Sequence, residues 1–584
     1  MELSADLSHD RIRAAMKRIQ AWSGLTGAPT LKQLLEHTVE LTLNGRSAEI
    51  KESTLAVEVF GRKTSFDPRS DPIVRVQARK LRDRLSSWNE TEGAQDEVVI
   101  DYKPGSYVPR FSLRSSRTLQ QRSVAVLPFT NLSDTSAFDY VCDGIAEELR
   151  YVLSRVHGIR VVAQASSGSL RRRTDDIQAI GTLLNADLIV RGTLRWSGNE
   201  IRVTAELIAS EDGFLVWAER WERANGDVFP LHDEIAAAVS AALRSQISAP
   251  IRTCTTAHNR EAHDLYLKGR FFWNQRTDHG FRRAIEHYEA ALRRDPGFAR
   301  VYAALADTWT LLAAHHLEQP LPCLARASEC AVKAVHLDSG LAAAHSSRAS
   351  TLLIYDRKPE EAEQAWKQAL RLDPTYAYAW HGLAVFGSFV WRRLDEGRAA
   401  IDQARRLEPL SAPIACDVGF TLYANGQYLE AIDACHAAID LHPSFSRTYV
   451  CLARAHAALG RYAASVETCI QGRPLFTGRA FLGQLLATQA YSYGRLGRSD
   501  DAMNILHGLE QDSAEHYVAL MDLAVIQTGM GNAALAIALL ERANAAGEYW
   551  SISIPTEPLL HSLHGEPRFR SLAARLFQPD TPSR

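Results

Sequence analysis

The chain has 584 residues, 46% of them hydrophobic and 23% charged, which is a globular composition and excludes wholesale disorder. At about 150 residues per domain, such a length predicts roughly four domains. The formal net charge of −2 excludes a polycation, so any contact with nucleic acid must come from a local basic patch.

Helical periodicity opens the chain, near residues 9–23 and again near 30–44, where Leu31, Leu34, Leu35, Thr38, Val39 and Leu41 share a face. A shorter helix is expected over 52–60, with Leu55, Val57, Val59 and Phe60 apolar and Gly61 as its stop. Then comes DPIVRVQARKLRDRL (71–85), with five basic residues in fifteen positions. Ser70 or Asp71 suits an N-cap there, and Pro72 the first helical position. On a wheel of about 100° per residue, Val74, Ala78, Leu81 and Leu85 fall in one arc, and Arg75, Arg79 and Arg82 in a second arc beside it. Lys80 and Arg84 lie further round. The helix alone reads as a solvated basic face. The neighbouring segment changes that reading: VVIDYKPGSYVPRF (98–111) is two strand-like runs around a Pro-Gly turn, a small hairpin. Three helices and a hairpin are the parts of a winged helix, in which the third helix enters the major groove of DNA.

Residues 112–123 are polar, basic and Ser-rich, a linker. From 123 to about 250, strand and helix alternate. SVAVLPF, a helix near 139–157, IRVVA and the helix DIQAIGTLLN come first. Three strands in series follow, ADLIVRGTLRW, IRVTAELIAS and FLVWAERW, then a helix near 228–247. That order predicts an α/β sheet domain. Beyond residue 258 the chain repeats a phrase: ALRRDPGF, AVHLDSGL, ALRLDPTY, ARRLEPLS, AIDLHPSF. The proline slots are Pro296, Ser339, Pro374, Pro409 and Pro443, at intervals of 43, 35, 35 and 34 residues. Weaker copies continue near Gly460, Gly497 and Gly531, giving about seven repeats.

A 34-residue period, with Gly419, Leu422, Gly426, Tyr428, Ala431 and Ala438 in one copy, and Trp380, Leu383, Ala384 and Ala404 in another, resembles the tetratricopeptide repeat (TPR). STLAVEVFG, VRVQARKLRDRL and VVIDYKPGSYVPRF together resemble the winged-helix DNA-binding domain of OmpR-type regulators over about residues 30–111. Ser106 stands where that family has its wing glycine, helix is expected in place of its N-terminal sheet, and no receiver domain is expected ahead of it. VAVLPFTNLSD through IRVTAELI resembles the TolB N-terminal-like domain over about 123–248. The expected layout is a helical extension (1–29), a winged helix-turn-helix (30–115), an α/β domain (123–250), an all-α TPR solenoid (258–550) and a C-terminal cap (551–584). The OmpR resemblance implies DNA contacts from Arg75, Arg79, Lys80, Arg82 and Arg84 on the helix, and from Lys103 and Tyr107 on the wing. Arginine serves both guanine edges and phosphates.

No P-loop, His-Glu-x-x-His, Gly-x-Ser-x-Gly or EF-hand pattern is present, so neither an enzyme nor a cofactor is expected. GMGNAA (529–534) reads as a turn between repeat helices rather than a phosphate cradle. Asp143, Glu147 and Glu148 read as carboxylates at the positive end of a helix. His315-His316, near Cys323 and Cys330, is the one pair to weigh as a metal site, and a repeat loop is the simpler reading, so no metal is expected. Cys435, Cys469, Trp366 and Trp380 are expected in the repeat core. The eight cysteines form no Cys-x-x-Cys pair, which suits a reducing compartment. No secretion signal opens the chain and no run of 18 apolar residues occurs, so a cytoplasmic protein without membrane contact is expected. The expected partners are double-stranded DNA and a protein on the concave face of the array. A homodimer would suit paired half-sites. The alternatives are an adaptor whose winged helix binds protein, and an accessory protein of a nucleotide cyclase.

Overall fold

The computed structural model describes residues 9–577, apart from 26, 65, 68–70, 91, 97, 104–105, 114–121, 155–158, 163–175, 225–228 and 245–258. Ser70, Pro104, Gly105 and most of the expected linker therefore lie outside the described residues. The chain divides into two compact units, 1–120 and 121–584.

In the first unit, helices α1 (His9–Ala21), α2 (Pro29–Leu43), α3 (Glu52–Glu58) and α4 (Ile73–Glu90) precede a hairpin of β1 (Val98–Tyr102) and β2 (Pro109–Leu113). The strands pair antiparallel, Val98 opposite Leu113 and Tyr102 opposite Pro109. The apolar arcs read from the sequence meet in one core: Ile12, Leu35, Leu55, Val74, Leu81 and Ile100 are all buried. Each such side chain contributes about 1.5–3 kcal/mol by leaving water. Thr38 and Tyr102 share a buried hydroxyl–hydroxyl bond of 2.6 Å that pins α2 to the hairpin. Helix α4 starts one residue later than expected: the Pro72 carbonyl accepts from Val76 N–H, and the Asp71 carboxylate accepts from Ile73 N–H at 3.0 Å. Pro72 thus stands at the cap rather than inside the helix.

The second unit begins with a mixed sheet, ordered β5-β3-β6-β7-β8 with the short β4 beside β6. These are β3 (Arg122–Val126), β4 (Thr130–Asn131), β5 (Ile159–Val162), β6 (Leu188–Ser197), β7 (Glu200–Ala209) and β8 (Leu215–Ala224). β3 runs parallel to β5 and β6, and the last three strands form an antiparallel meander. Helices α5 (Asp139–Ser154) and α7 (Phe229–Arg244) cover one face through Ile145, Leu149, Ile235 and Val239. Helix α6 (Ile177–Leu184) covers the other, where Leu410 of the helical array joins Ala125, Ile180 and Ile189.

Eight helix pairs follow among the described residues, from α8 (Arg260–Asn274) with α9 (Asp278–Arg294) to α22 (Leu520–Gly529) with α23 (Ala533–Ala545), one more than the estimate of about seven. Small residues stand where helices meet. A Cβ on Gly382 would lie 2.6 Å from the ring of Trp366, which is fully buried. Cys435 and Cys469 are buried, and Trp380 packs half-buried at the edge of the core around Ile401, its indole N–H donating to the Pro374 carbonyl at 3.0 Å. The seven described cysteines are thiols. In GMGNAA, Gly529 backs onto Tyr491 and Gly531 takes φ +83°, a turn between packed helices. No helix among the described residues is long and apolar enough to cross a membrane.

Candidate functional site

Helix α4 buries Val74, Ala78, Leu81 and Leu85 and turns its basic arc outward. Arg79 and Lys80 are exposed and have no acidic partner among the described residues. Arg75, also exposed, is bonded to Glu52 of α3 at 2.8 Å, and this bond raises its pKa. Arg82 is half-buried and reaches the Ser106 carbonyl of the hairpin loop at 3.5 Å. Tyr107 is half-buried beside Glu52, Arg75 and Arg82, and burial first, then Glu52, pushes its pKa up. Lys103 is exposed. The structure therefore brings Arg75, Arg79, Arg82, Tyr107 and the hairpin loop to one side. Arg84 departs: it lies across the helix from that arc and donates to the Gly24 carbonyl. Two residues escape the sequence reading. Val76 is 45% exposed on the same helix, an apolar contact amid the basic groups. Glu52 places a carboxylate within the basic surface.

Glu147 and Glu148 do not serve the helix dipole as expected. Helix α5 starts at Asp139, so Glu147 and Glu148 sit in mid-helix, and they hold the sheet domain to the array. Glu147 accepts from Arg270 at 2.8 Å and from the Tyr266 hydroxyl at 3.1 Å. Glu148 meets Arg300 at 3.1 Å and His263 at 3.3 Å. Burial alone would raise the Glu148 pKa, but Arg300 and His263 override it and hold the carboxyl far below its usual range. Arg300 also lies 4.1 Å over the Tyr151 ring.

The inner layer of the array, expected to be open to a partner, is partly covered by the chain itself. Two 3₁₀ turns, Tyr549–Ser553 and Pro558–Leu563, run along it. Trp550 donates to the Ala314 carbonyl at 3.0 Å, Thr556 to the Phe389 carbonyl at 2.6 Å, and Arg357 to Ser551 at 2.8 Å. Glu557 accepts from Tyr423 and, at 3.1 Å, from Arg454. Contacts with five successive repeats require a path along the inner layer. His316 pairs with Asp522 at 3.1 Å, and His315 packs on Phe481 at 4.2 Å. No cluster of three metal-ligating residues occurs among the described residues.

Residues 120–238 match the HilA/YgeH-like transcriptional regulator, second domain, and residues 419–469 match the tetratricopeptide repeat. The chain is similar to a putative adenylate cyclase 3 of Rhizobium meliloti (strain 1021), 29% identical over 223 residues, which is 38% of this chain and 36% of that protein. The chain thus matches little more than a third of that relative's length. Among solved structures it is similar to yeast Tom70 (15% identity, 61% of this chain and 79% of that one, TM-score 0.37). It is also similar to the human IFIT1 dimer with m7Gppp-AAAA (16% identity, 60% and 80%, TM-score 0.37).

Proposed function

We propose that this chain is a transcriptional regulator that binds double-stranded DNA through residues 30–115, folded as an OmpR-type winged helix-turn-helix. Helix α4 enters the major groove, Arg79 and Lys80 face base edges or phosphate, and the loop carrying Lys103 and Tyr107 lies on flanking backbone. The observation that carries this reading is the exposed basic arc of a helix whose other face is core, followed by a domain similar to a transcriptional regulator family. The central domain, which resembles TolB N-terminal-like domains in sequence, and the TPR array sense or recruit. The reading includes no catalytic activity, a cytoplasmic location and a homodimer on paired half-sites.

The test is selection of genomic DNA fragments by the full chain at two salt concentrations, against the variant Arg79→Ala/Arg82→Ala. Selective enrichment that salt weakens and the variant loses is the expected result. Enrichment that the folded variant keeps would remove α4 from the interface. No enrichment at all would favour the adaptor reading. The cyclase relative motivates one control: cyclic-nucleotide production by the purified chain, expected to be absent.

A further inference from the structure

A cavity of about 670 Å³ lies between the inner helices of the array, the turn at Tyr549–Trp550 and helix α5 of the sheet domain. Sites for small organic molecules run to roughly 300–1,000 Å³. Much of the wall is aromatic: Trp273, Tyr376, Tyr378, Phe481, Tyr549 and Trp550. Water alone would set on the order of twenty molecules against those rings, which favours an organic guest.

The polar groups on the wall narrow its chemistry. The Arg276 guanidinium lies 3.6 Å from the centre of the Trp273 ring and donates to the Tyr378 hydroxyl at 3.2 Å. No carboxylate bonds to it among the described residues. Arg447 bonds Asp417 through one terminal nitrogen, faces the Phe420 ring at 4.5 Å and leaves its Nε without a partner among the described residues. Among the described residues, Glu408, 3% exposed, has no partner for Oε2, and His315, 8% exposed, has none for Nδ1. Burial and the neighbouring Arg276 and Arg447 hold His315 neutral. Buried polar atoms without partners are costly, and three such atoms among the described residues belong to side chains that line this one cavity. Guanidinium donors form a planar fork that fits a carboxylate.

We propose that this cavity binds a small aromatic carboxylic acid: Arg276 and Arg447 take the carboxylate, the aromatic wall takes the ring, and Glu408 with His315 takes a second hydrogen-bonding group. Asp143 and Arg150 of α5 line the same cavity, so a guest touches both the sheet domain and the array. The site stands whether or not the chain binds DNA.

The test titrates the full-length protein with four indoles that share a ring: indole-3-acetate, L-tryptophan, tryptamine and indole. Calorimetry and quenching of the protein's tryptophan emission are the readouts. The two acids are expected to bind saturably, and tryptamine and indole at least tenfold more weakly. Arg276→Gln should weaken indole-3-acetate at least tenfold and leave indole unchanged, in a sample whose circular dichroism matches the parent. Indole or tryptamine binding as tightly as the acids would overturn the proposal, as would no saturable binding of either acid at millimolar concentration. So would full affinity in the folded variant. The comparison of the four ligands on the unaltered protein decides even if the variant does not fold. DNA binding, measured on the same samples, tests the other reading separately.

Discussion

Glu52 is the residue through which the DNA-binding reading makes its sharpest prediction. Its carboxylate holds Arg75 at 2.8 Å, while among the described residues Arg79, Lys80 and Lys103 are exposed without an acidic partner and Arg82 bonds the Ser106 carbonyl. Four cations are thus available to phosphate, and a fifth is engaged. Each phosphate neutralised contributes about −0.9 to the slope of log K against log salt, so four give about −3.6, a loss of roughly 150-fold between about 50 and 200 mM. Arg79→Ala/Arg82→Ala should bring the slope to about −1.8, a loss of roughly 12-fold over the same range. Glu52→Gln keeps the shape and a hydrogen bond but releases Arg75, so it should tighten binding at low salt and steepen the slope to about −4.5. Arg75→Ala alone should change little, yet it should cancel the gain in the Glu52→Gln background. Fluorescence anisotropy of the full chain on a duplex recovered by the selection reads all five slopes. A dimer would double them and leave their order intact. A slope that the double variant does not alter, or a Glu52→Gln variant that binds more weakly, would refute the reasoning.

Three further outcomes rest on buried groups. Arg300→Ala leaves Glu148 charged and buried, which should cost about 3–5 kcal/mol in urea unfolding and expose α5 amides to hydrogen exchange; adding Glu148→Gln should restore part of it. Because the Glu148 pKa is depressed on folding, the stability this pair adds is present above the usual carboxylate range and fades as pH falls below it. Asp307 is the opposite case: burial raises its pKa to about 6 against a bond from Ser347 and the charges of Arg270 and Arg276, so folding favours its protonated form. Wild-type stability should therefore decline as pH rises from about 4 to 6, by about 1–2 kcal/mol after allowing for the cavity Asp307 faces, and Asp307→Asn should flatten that decline. Gly382→Ala drives a methyl group to 2.6 Å from the buried Trp366 ring and should cost about 1–3 kcal/mol in the same unfolding assay.

Much of the architecture is legible in the sequence because it is local. The 34-residue period marks helix pairs, and strand and helix runs from 123 to 247 fall within a few residues of the observed elements. The apolar arc of α4 is buried as its spacing requires. What the pattern cannot show are pairs made across the chain. Glu148 meets His263 and Arg300, 115 and 152 residues away, and no local signal distinguishes such a carboxylate from one that serves a helix dipole. The Glu52–Arg75 bond spans 23 residues between two helices and escapes a wheel drawn on either. Arg84 reads as one more basic group, yet its position round the helix takes it to the Gly24 carbonyl. Trp380 matches a repeat position by type, but the indole N–H draws it toward the Pro374 carbonyl at the rim.

The inner layer of the array illustrates the same limit with a functional consequence. Residues 549–563 have no helical period and read as the end of the repeats and the start of a cap. Folded, this segment and the residue before it place two buried carboxylates against distant partners. Glu548 accepts from the backbone of Leu520 at 2.6 Å and Met521 at 3.0 Å, capping α22, and Glu557 accepts from Arg454 and Tyr423. A protein ligand seeking the whole inner face would have to displace this segment and break these bonds, leaving Arg454 and Tyr423 without the Glu557 carboxylate. A guest small enough for the space beside Tyr549 and Trp550 displaces none of them. On the proposed reading, the covered part of this face suits a compact molecule better than an extended peptide.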